Sequence, residues 1–365
     1  MIQEVYKPSH LFWSKLISVM IKPFILFIDW FKNTPAPPFN VKKAQTILIT
    51  EYHRIGDVVM LIPALDMIKK AFPLSRIILI TNSDTVQLAE KLRLADTIIG
   101  FSSPWTNWEW SLSRWKDTVA FGIGLRKLKV DLAIDFKGDI RNNWFLWLTG
   151  SKKRVGYDAT GGSYFLTSSF EFPFSLHQSK RSLQLLSLIK IPELNRKRNK
   201  SSNNVLQRGK IVLHPGASDT NRCWPIERWV ELIKQLYGKY SLAIVKIPDL
   251  ENTCDEIIQQ TPDIEVFKGS LIGFYNWLKN QRMLIGIDSM AGHLAAYIGL
   301  PTVTIFGSQN PDLTKPTGEI SQVVHPIVPC NHVKTHWRLC AQCMESVTPL
   351  MAVSYTHLRA HETLR

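Results

Sequence analysis

The sequence predicts an α/β protein of two domains, each a parallel sheet covered by helices on both faces. Three observations carry that prediction. From Thr46 almost to the end, short β-branched apolar runs alternate with amphipathic stretches, the pattern of βαβ units. A polar, basic stretch over 192–210 interrupts the alternation, where a linker belongs. The 365 residues also suffice for two domains of about 150 residues each.

Composition narrows the class without choosing a function. Hydrophobic residues at 45% and charged residues at 20% describe a folded chain with a large core. The formal net charge of +14 calls for an anionic partner: nucleic acid, phosphate-bearing sugars or an anionic membrane surface. Five cysteines in this length do not make a disulfide scaffold, so a reducing, cytoplasmic compartment is expected.

Residues 1–40 read as an amphipathic extension. Its apolar run over 11–31 is interrupted by Lys15, Lys22, Pro23 and Asp29, so a poor membrane-spanning helix is expected. Pro35, Pro37 and Pro38 follow with no small-residue cleavage site, which argues against a signal peptide. Aromatics beside lysines suit a helix lying in a membrane interface; packing on the protein's own surface is the alternative.

The first domain, 41–191, opens with a strand from Thr46, a polar turn over 51–57 and a helix with Val58, Val59, Leu61, Ile62, Leu65 and Ile68 on its apolar positions. Further strands are expected at 76–81, 97–101 and 131–136. Helices are expected at 84–92, 110–129 and 140–148, the second weakened by Gly122 and Gly124. A basic turn at 152–157 enters another strand, and 179–189 reads as a helix. The linker, 192–210, carries Arg196, Lys197, Arg198, Lys200, Arg208 and Lys210. In the second domain, 211–350, strands at 211–214, 242–247, 265–268, 283–287 and 302–306 alternate with helices at 225–237, 252–260, 271–279 and 291–298. Two Rossmann-like domains joined in this way would place a ligand cleft between them. The tail, 351–365, has little apolar periodicity and reads as a non-native or truncated end.

Three loops carry chemistry. The first is Arg54-Ile-Gly56-Asp57 at the start of the first long helix. Asp57 suits the positive end of a helix as a cap, and equally suits a base at the carboxyl end of a strand. The spacing is not that of a dinucleotide fingerprint, so a nicotinamide or flavin site is not expected. The second loop runs from His214 through Gly216, Ser218 and Arg222 to Trp224-Pro225, where backbone N–H groups and an arginine can hold phosphate oxygens. The third is Asp288-Ser289-Met290 with His293, where an apolar strand meets a small-residue helix whose first amides offer a pyrophosphate seat. A cap at Asp288 and a core histidine at His293 remain the plainer alternatives. Near the tail, Cys330, Cys340 and Cys343 lie close in sequence to His332 and His336. Cys340-Ala-Gln-Cys343 has the spacing of one zinc half-site, and reduced thiols in a loop are the alternative.

Taken in order, these loops and the following Thr302-Val-Thr-Ile-Phe-Gly307 resemble glycosyltransferase family 9, the lipopolysaccharide heptosyltransferases, over about residues 46–350. The resemblance implies a GT-B fold, with an acceptor-binding and a nucleotide-sugar-binding domain facing a central cleft. It implies inverting, metal-independent transfer from a nucleoside-diphosphate sugar, typically ADP-heptose, to a lipopolysaccharide core or lipid A-type acceptor at the inner membrane, with no cofactor and no nucleic acid. It further implies Asp57 as base, with Arg54 and Gly56 on the acceptor side. Donor binding falls to Gly216, Ser218, Arg222, Asp288, Ser289 and His293. Arg222 stands where the family has lysine, and Met290 where it has glycine. The absence of an Asp-x-Asp pair agrees with a metal-free reaction. A nucleotide-sugar epimerase of the same architecture and a non-enzymatic anion- or nucleic-acid-binding protein are the alternatives.

Overall fold

The computed structural model describes residues 8–31, 43–106, 111–191, 209–246, 251–261, 263–332 and 339–362. It divides into two compact units, one ending at Asn195 and the other beginning at Arg196. The expected linker at 192–210 lies almost entirely outside the described residues.

The first unit runs α1 (Pro8–Phe31), β1 (Thr46–Glu51), α2 (Ile55–Ala71), β2 (Arg76–Thr81), α3 (Val86–Lys91), β3 (Thr97–Gly100), α4 (Leu112–Gly124), β4 (Leu132–Asp135), α5 (Ile140–Leu148), β5 (Lys153–Asp158), β6 (Ser168–Glu171) and α6 (Gln178–Leu188). Its sheet is parallel throughout, in the order β3-β2-β1-β4-β5-β6. The central strands are apolar because both of their faces are buried: Ile47, Leu48, Ile49, Leu132, Ala133 and Ile134 have no exposed surface. The second unit runs β7 (Ile211–His214), α7 (Ile226–Leu236), β8 (Leu242–Val245), α8 (Glu251–Gln259), β9 (Glu265–Phe267), α9 (Leu271–Leu278), β10 (Met283–Ile287), α10 (Met290–Tyr297), β11 (Thr302–Ile305), α11 (Pro311–Thr314), β12 (Ser321–Val324), α12 (Gln342–Glu345) and α13 (Pro349–Glu362). Its parallel sheet, β12-β11-β10-β7-β8-β9, repeats the first strand for strand. Each unit thus has the doubly wound 3-2-1-4-5-6 order, with its switch point between β1 and β4 or between β7 and β10.

Two terminal segments depart from expectation. Helix α1 continues through Pro23, and its stretch Leu11–Ile28 is long and apolar enough to cross a membrane. One stripe of α1 docks on the first unit: the Gly162 N–H donates to Ser18 Oγ at 3.0 Å, and Ile25 is buried. Gly161, at φ +104°, permits this approach, since a Cβ there would meet Ser18 Cβ at 2.8 Å. Phe12, Trp13, Phe24 and Phe27 stay exposed. At the other end, α13 crosses the expected boundary at 350. Ala352 and Val353 join the core cluster built around Trp229 and Ile285, so the segment is held by burial at its first turn rather than by sustained periodicity.

Helix α4 supplies a paired test. A Cβ on Gly122 would sit 2.9 Å from Leu148 Cβ, whereas one on Gly124 would meet nothing within 4 Å. Gly122→Ala is expected to destabilise the protein by about 1–3 kcal/mol through overpacking. Gly124→Ala, in right-handed helical backbone, should stabilise it by about 0.4–1 kcal/mol. Urea unfolding of both variants checks this, and equal effects would contradict the described α4–α5 contact.

Candidate active site

The first unit places Asp57 at its switch point. Arg54 is the N-cap of α2 and Asp57 its third residue, with Gly56 buried between them in the first turn. The two carboxylate oxygens divide the work. Oδ2 accepts the Arg54 N–H at 3.1 Å, which is the capping role. Oδ1 accepts from Lys137 Nζ at 2.8 Å and from Gln178 Nε2 at 2.7 Å. Capping thus occupies only one oxygen of the carboxylate.

Lys137 is absent from the sequence-based site. It stands in the turn between β4 and α5 and also lies 3.4 Å from Glu51 Oε2, whose other oxygen is 3.1 Å from His53 Nδ1. Asp135 shapes that turn. Fully buried, its Oδ1 accepts the N–H groups of Lys137 and Gly138 at 2.9 and 3.2 Å. Its Oδ2 accepts from Thr50 Oγ1 at 2.7 Å and from Asn142 Nδ2 at 3.0 Å. Gln178, the first residue of α6, was missed as well. Neither residue carries a local motif. The available signal was topological: β4 pairs with β1, so the turns following both strands must meet at the switch point.

Electrostatics keep Asp57 ionised. Burial pushes its pKa up, but the charges of Lys137 and His53 and the hydrogen bonds of Lys137 and Gln178 outweigh it. The carboxyl therefore sits well below the usual range. Lys137 is the main source of that depression. Lys137 responds reciprocally: burial lowers its pKa, the Asp57 and Glu51 charges raise it more, and the ammonium is retained.

The second unit places its residues at the matching switch point. His214 ends β7, and the loop after it carries Gly216, buried, and Ser218, exposed. Arg222 closes a short 3₁₀ turn, its Nη1 3.3 Å from Asp288 Oδ2 at the end of β10. Ser289 is the N-cap of α10, with its Oγ 3.4 Å from His214 Nδ1. Met290 opens α10 as an ordinary first helical residue, so the exchange from glycine introduces no backbone strain. His293 is buried one turn further along α10. The second and third loops are thus joined by Arg222–Asp288 and His214–Ser289, while Ser218 lies outward.

Burial pulls the His214 pKa down to about 4. An unfolded histidine titrates near 6.5, so below that pH the unfolded chain binds more protons at this position. Stability from neutral His214 is complete above about pH 6.5 and declines towards pH 4, by about 3 kcal/mol at most. Replacing His214 by asparagine is expected to flatten the pH dependence of unfolding free energy across that window. Parallel curves for the two proteins would show that His214 is not buried neutral.

Comparison with known proteins agrees with the architecture. The profile of glycosyltransferase family 9 (heptosyltransferase) matches residues 118–340. Lipopolysaccharide heptosyltransferase 1 of Pseudomonas aeruginosa is 22% identical over 304 residues, covering 78% of this chain and 85% of that protein. The structure of ADP-heptose LPS heptosyltransferase II of E. coli superposes with a TM-score of 0.67 at 15% identity, covering 88% of this chain and all of that one. A family 9 glycosyltransferase from Veillonella parvula gives 0.70 at 15% identity, over 86% and 96% of the two chains. The fold is GT-B, α/β with two Rossmann-like domains. With the family profile spanning more than half of the sequence, the chain belongs to glycosyltransferase family 9 and is a heptosyltransferase-like glycosyltransferase.

Proposed function

We propose that this enzyme moves heptose from ADP-heptose onto a lipopolysaccharide core or lipid A-type acceptor, with inversion and without a metal ion in the reaction. The observation that carries the reading is the Asp57 carboxylate, ionised and oriented by Lys137 and Gln178 at the end of β1. The acceptor hydroxyl attacks the anomeric carbon, the bond to the diphosphate breaks, and the hydroxyl proton passes to Asp57. A carboxylate of depressed pKa is a weak base, so its proton arrives late, when the attacking oxygen has become strongly acidic. The leaving diphosphate is met by Arg222, pre-oriented by Asp288, and by the first amides of α10. Gly216 and Ser218 line the approach to that seat, and buried His293 supports it from within α10.

Asp57→Asn tests the base. The amide can still cap α2, but Lys137 keeps only Glu51, so stability should fall by about 1.5–3 kcal/mol. With ADP-heptose and acceptor supplied, kcat should drop at least about a hundredfold while donor affinity is retained. Near-normal kcat in a folded variant would leave Asp57 as a cap alone.

The metal-free reaction rests on Arg222 and helix amides taking the charge that a hard cation would otherwise take. Initial rates just after EDTA addition are expected to equal those in magnesium or manganese. An immediate loss restored by either ion would contradict the reading.

The enzyme is further proposed to work in the cytoplasm, at the inner-membrane surface. The exposed Phe12, Trp13 and Phe24 of α1, interleaved with Lys15 and Lys22, support this reading. Replacing the three aromatics by serine should reduce co-flotation with anionic vesicles without lowering the melting temperature. Unchanged flotation would remove α1 as the membrane contact.

A further inference from the structure

Four side chains far apart in chemistry from the sugar site converge near the end of the second unit. Cys330, His332, Cys340 and Cys343 bring one ligand atom each within 4.8 Å of one another. They arrive as two short pairs, Cys330-Asn-His332 and Cys340-Ala-Gln-Cys343, separated by 333–339, of which 333–338 lie outside the described residues. The second half-site that sequence spacing failed to supply is thus the Cys-x-His pair. The sequence alternative, reduced thiols in a loop, gives no reason for an imidazole and three sulfurs to converge.

The ligand atoms lie within about 1 Å of a metal shell. A tetrahedral cation with metal–sulfur bonds of about 2.3 Å and metal–nitrogen bonds of about 2.0–2.1 Å separates sulfur from nitrogen by about 3.6 Å and sulfur from sulfur by about 3.8 Å. Cys343 Sγ lies 3.6 Å from His332 Nδ1. The upper limit of 4.8 Å leaves about 1 Å of closure for the widest pair. None of the five cysteines is joined in a disulfide. Cys340 and Cys343 are buried and His332 is exposed, so the cluster has a closed inner side and an open side for metal entry.

The surrounding contacts indicate what such a site would brace. The Cys340 N–H donates to Ser308 Oγ at 2.9 Å, just beyond β11. Met344 packs so closely on Gly307 that a Cβ there would lie 2.6 Å from its sulfur. Val347 O accepts from Trp224 Nε1 at 2.9 Å, and Trp224 ends the loop that carries Arg222. The cluster therefore ties the segment after β12 to the short helix α12, just beyond which Val347 holds Trp224 at the end of the Arg222 loop.

We propose that Cys330, His332, Cys340 and Cys343 bind one thiophilic transition-metal ion, zinc or iron, in a tetrahedral three-thiolate, one-imidazole site. Such a donor set selects soft and borderline metals over magnesium, calcium and manganese. The site is structural: four protein ligands complete the tetrahedron and leave no position for substrate. Its role is independent of the sugar chemistry, and magnesium would not substitute in it.

The test uses the full chain, purified under reducing conditions without chelator from cells supplied with zinc and iron. Elemental analysis should find about one equivalent of zinc or iron per chain, the element found deciding between them. Cobalt added to the stripped, reduced protein should produce thiolate-to-cobalt charge-transfer absorption and the visible bands of tetrahedral cobalt. Cys330→Ser and Cys343→Ser should abolish the charge-transfer band or reduce it sharply. Because His332 is exposed, His332→Ala should fold, bind cobalt more weakly and shift its visible bands. Metal should also raise the melting temperature of the stripped wild-type protein. Substoichiometric metal together with no cobalt charge transfer would overturn the proposal, as would a cobalt spectrum unaltered by His332→Ala, or oxidation of these thiols to a disulfide in place of metal uptake.

Discussion

The parallel pairing of β1 with β4, Thr50 beside Asp135, is the constraint on which the first-unit site depends. Parallel neighbours end at the same edge, so the turns after them must share the space above the switch point. Asp135 converts that coincidence into a fixed geometry, because its buried carboxylate ties the end of β1 to the turn that presents Lys137. A one-residue slip would turn Asp135 to the other face of the sheet and separate Lys137 from Asp57. The second unit repeats the device with β7 and β10, whose ends bring His214 beside Ser289.

The two sites handle charge in opposite senses. In the first unit a cation neutralises the group offered as base, which costs basicity and gains a fixed, ionised oxygen. In the second a carboxylate holds the arginine offered to phosphate, at 3.3 Å and with both side chains largely out of water. Asp57 and Arg222 are thus already paired, so the +14 surplus of the sequence is carried by other residues.

Much of this architecture was legible because buried parallel strands are apolar on both faces. Helix α5 was found at its observed limits, since Asp139 caps it and an unbroken apolar run, Trp144-Phe-Leu-Trp-Leu148, fills its second half. Strands β6 and β12 were missed: both lie at sheet edges, and Ser168-Ser-Phe-Glu171 and Ser321-Gln-Val-Val324 lack a two-sided apolar signature. The basic residues over 152–154, read as a turn, lie largely within β5. Asp57, Arg222 and Asp288 were legible through their loops. Lys137 and Gln178 were not, because a lone lysine in a strand-to-helix turn and a glutamine at a helix start acquire meaning only through long-range pairing. The metal-like cluster was legible in part: Cys340-Ala-Gln-Cys343 has the spacing of a zinc half-site, but Cys330-Asn-His332 does not resemble a Cys-x₂-Cys partner.

The burial of Ala352 and Val353 beside Trp229 bears on the order in which the chain matures on the ribosome. The first sheet has all its strands once residue 171 has emerged, and Gly162, which receives α1, emerges shortly before that. The core of the second unit lacks part of its wall until residue 353 is free. At about 5–20 residues per second, the roughly 160 residues between the end of the first unit and that point take on the order of ten to thirty seconds. Throughout that interval a finished N-terminal domain, its aromatic helix already docked and facing outward, precedes an unfinished second sheet. Whatever surface that helix favours is therefore available to the nascent protein before the second unit is complete.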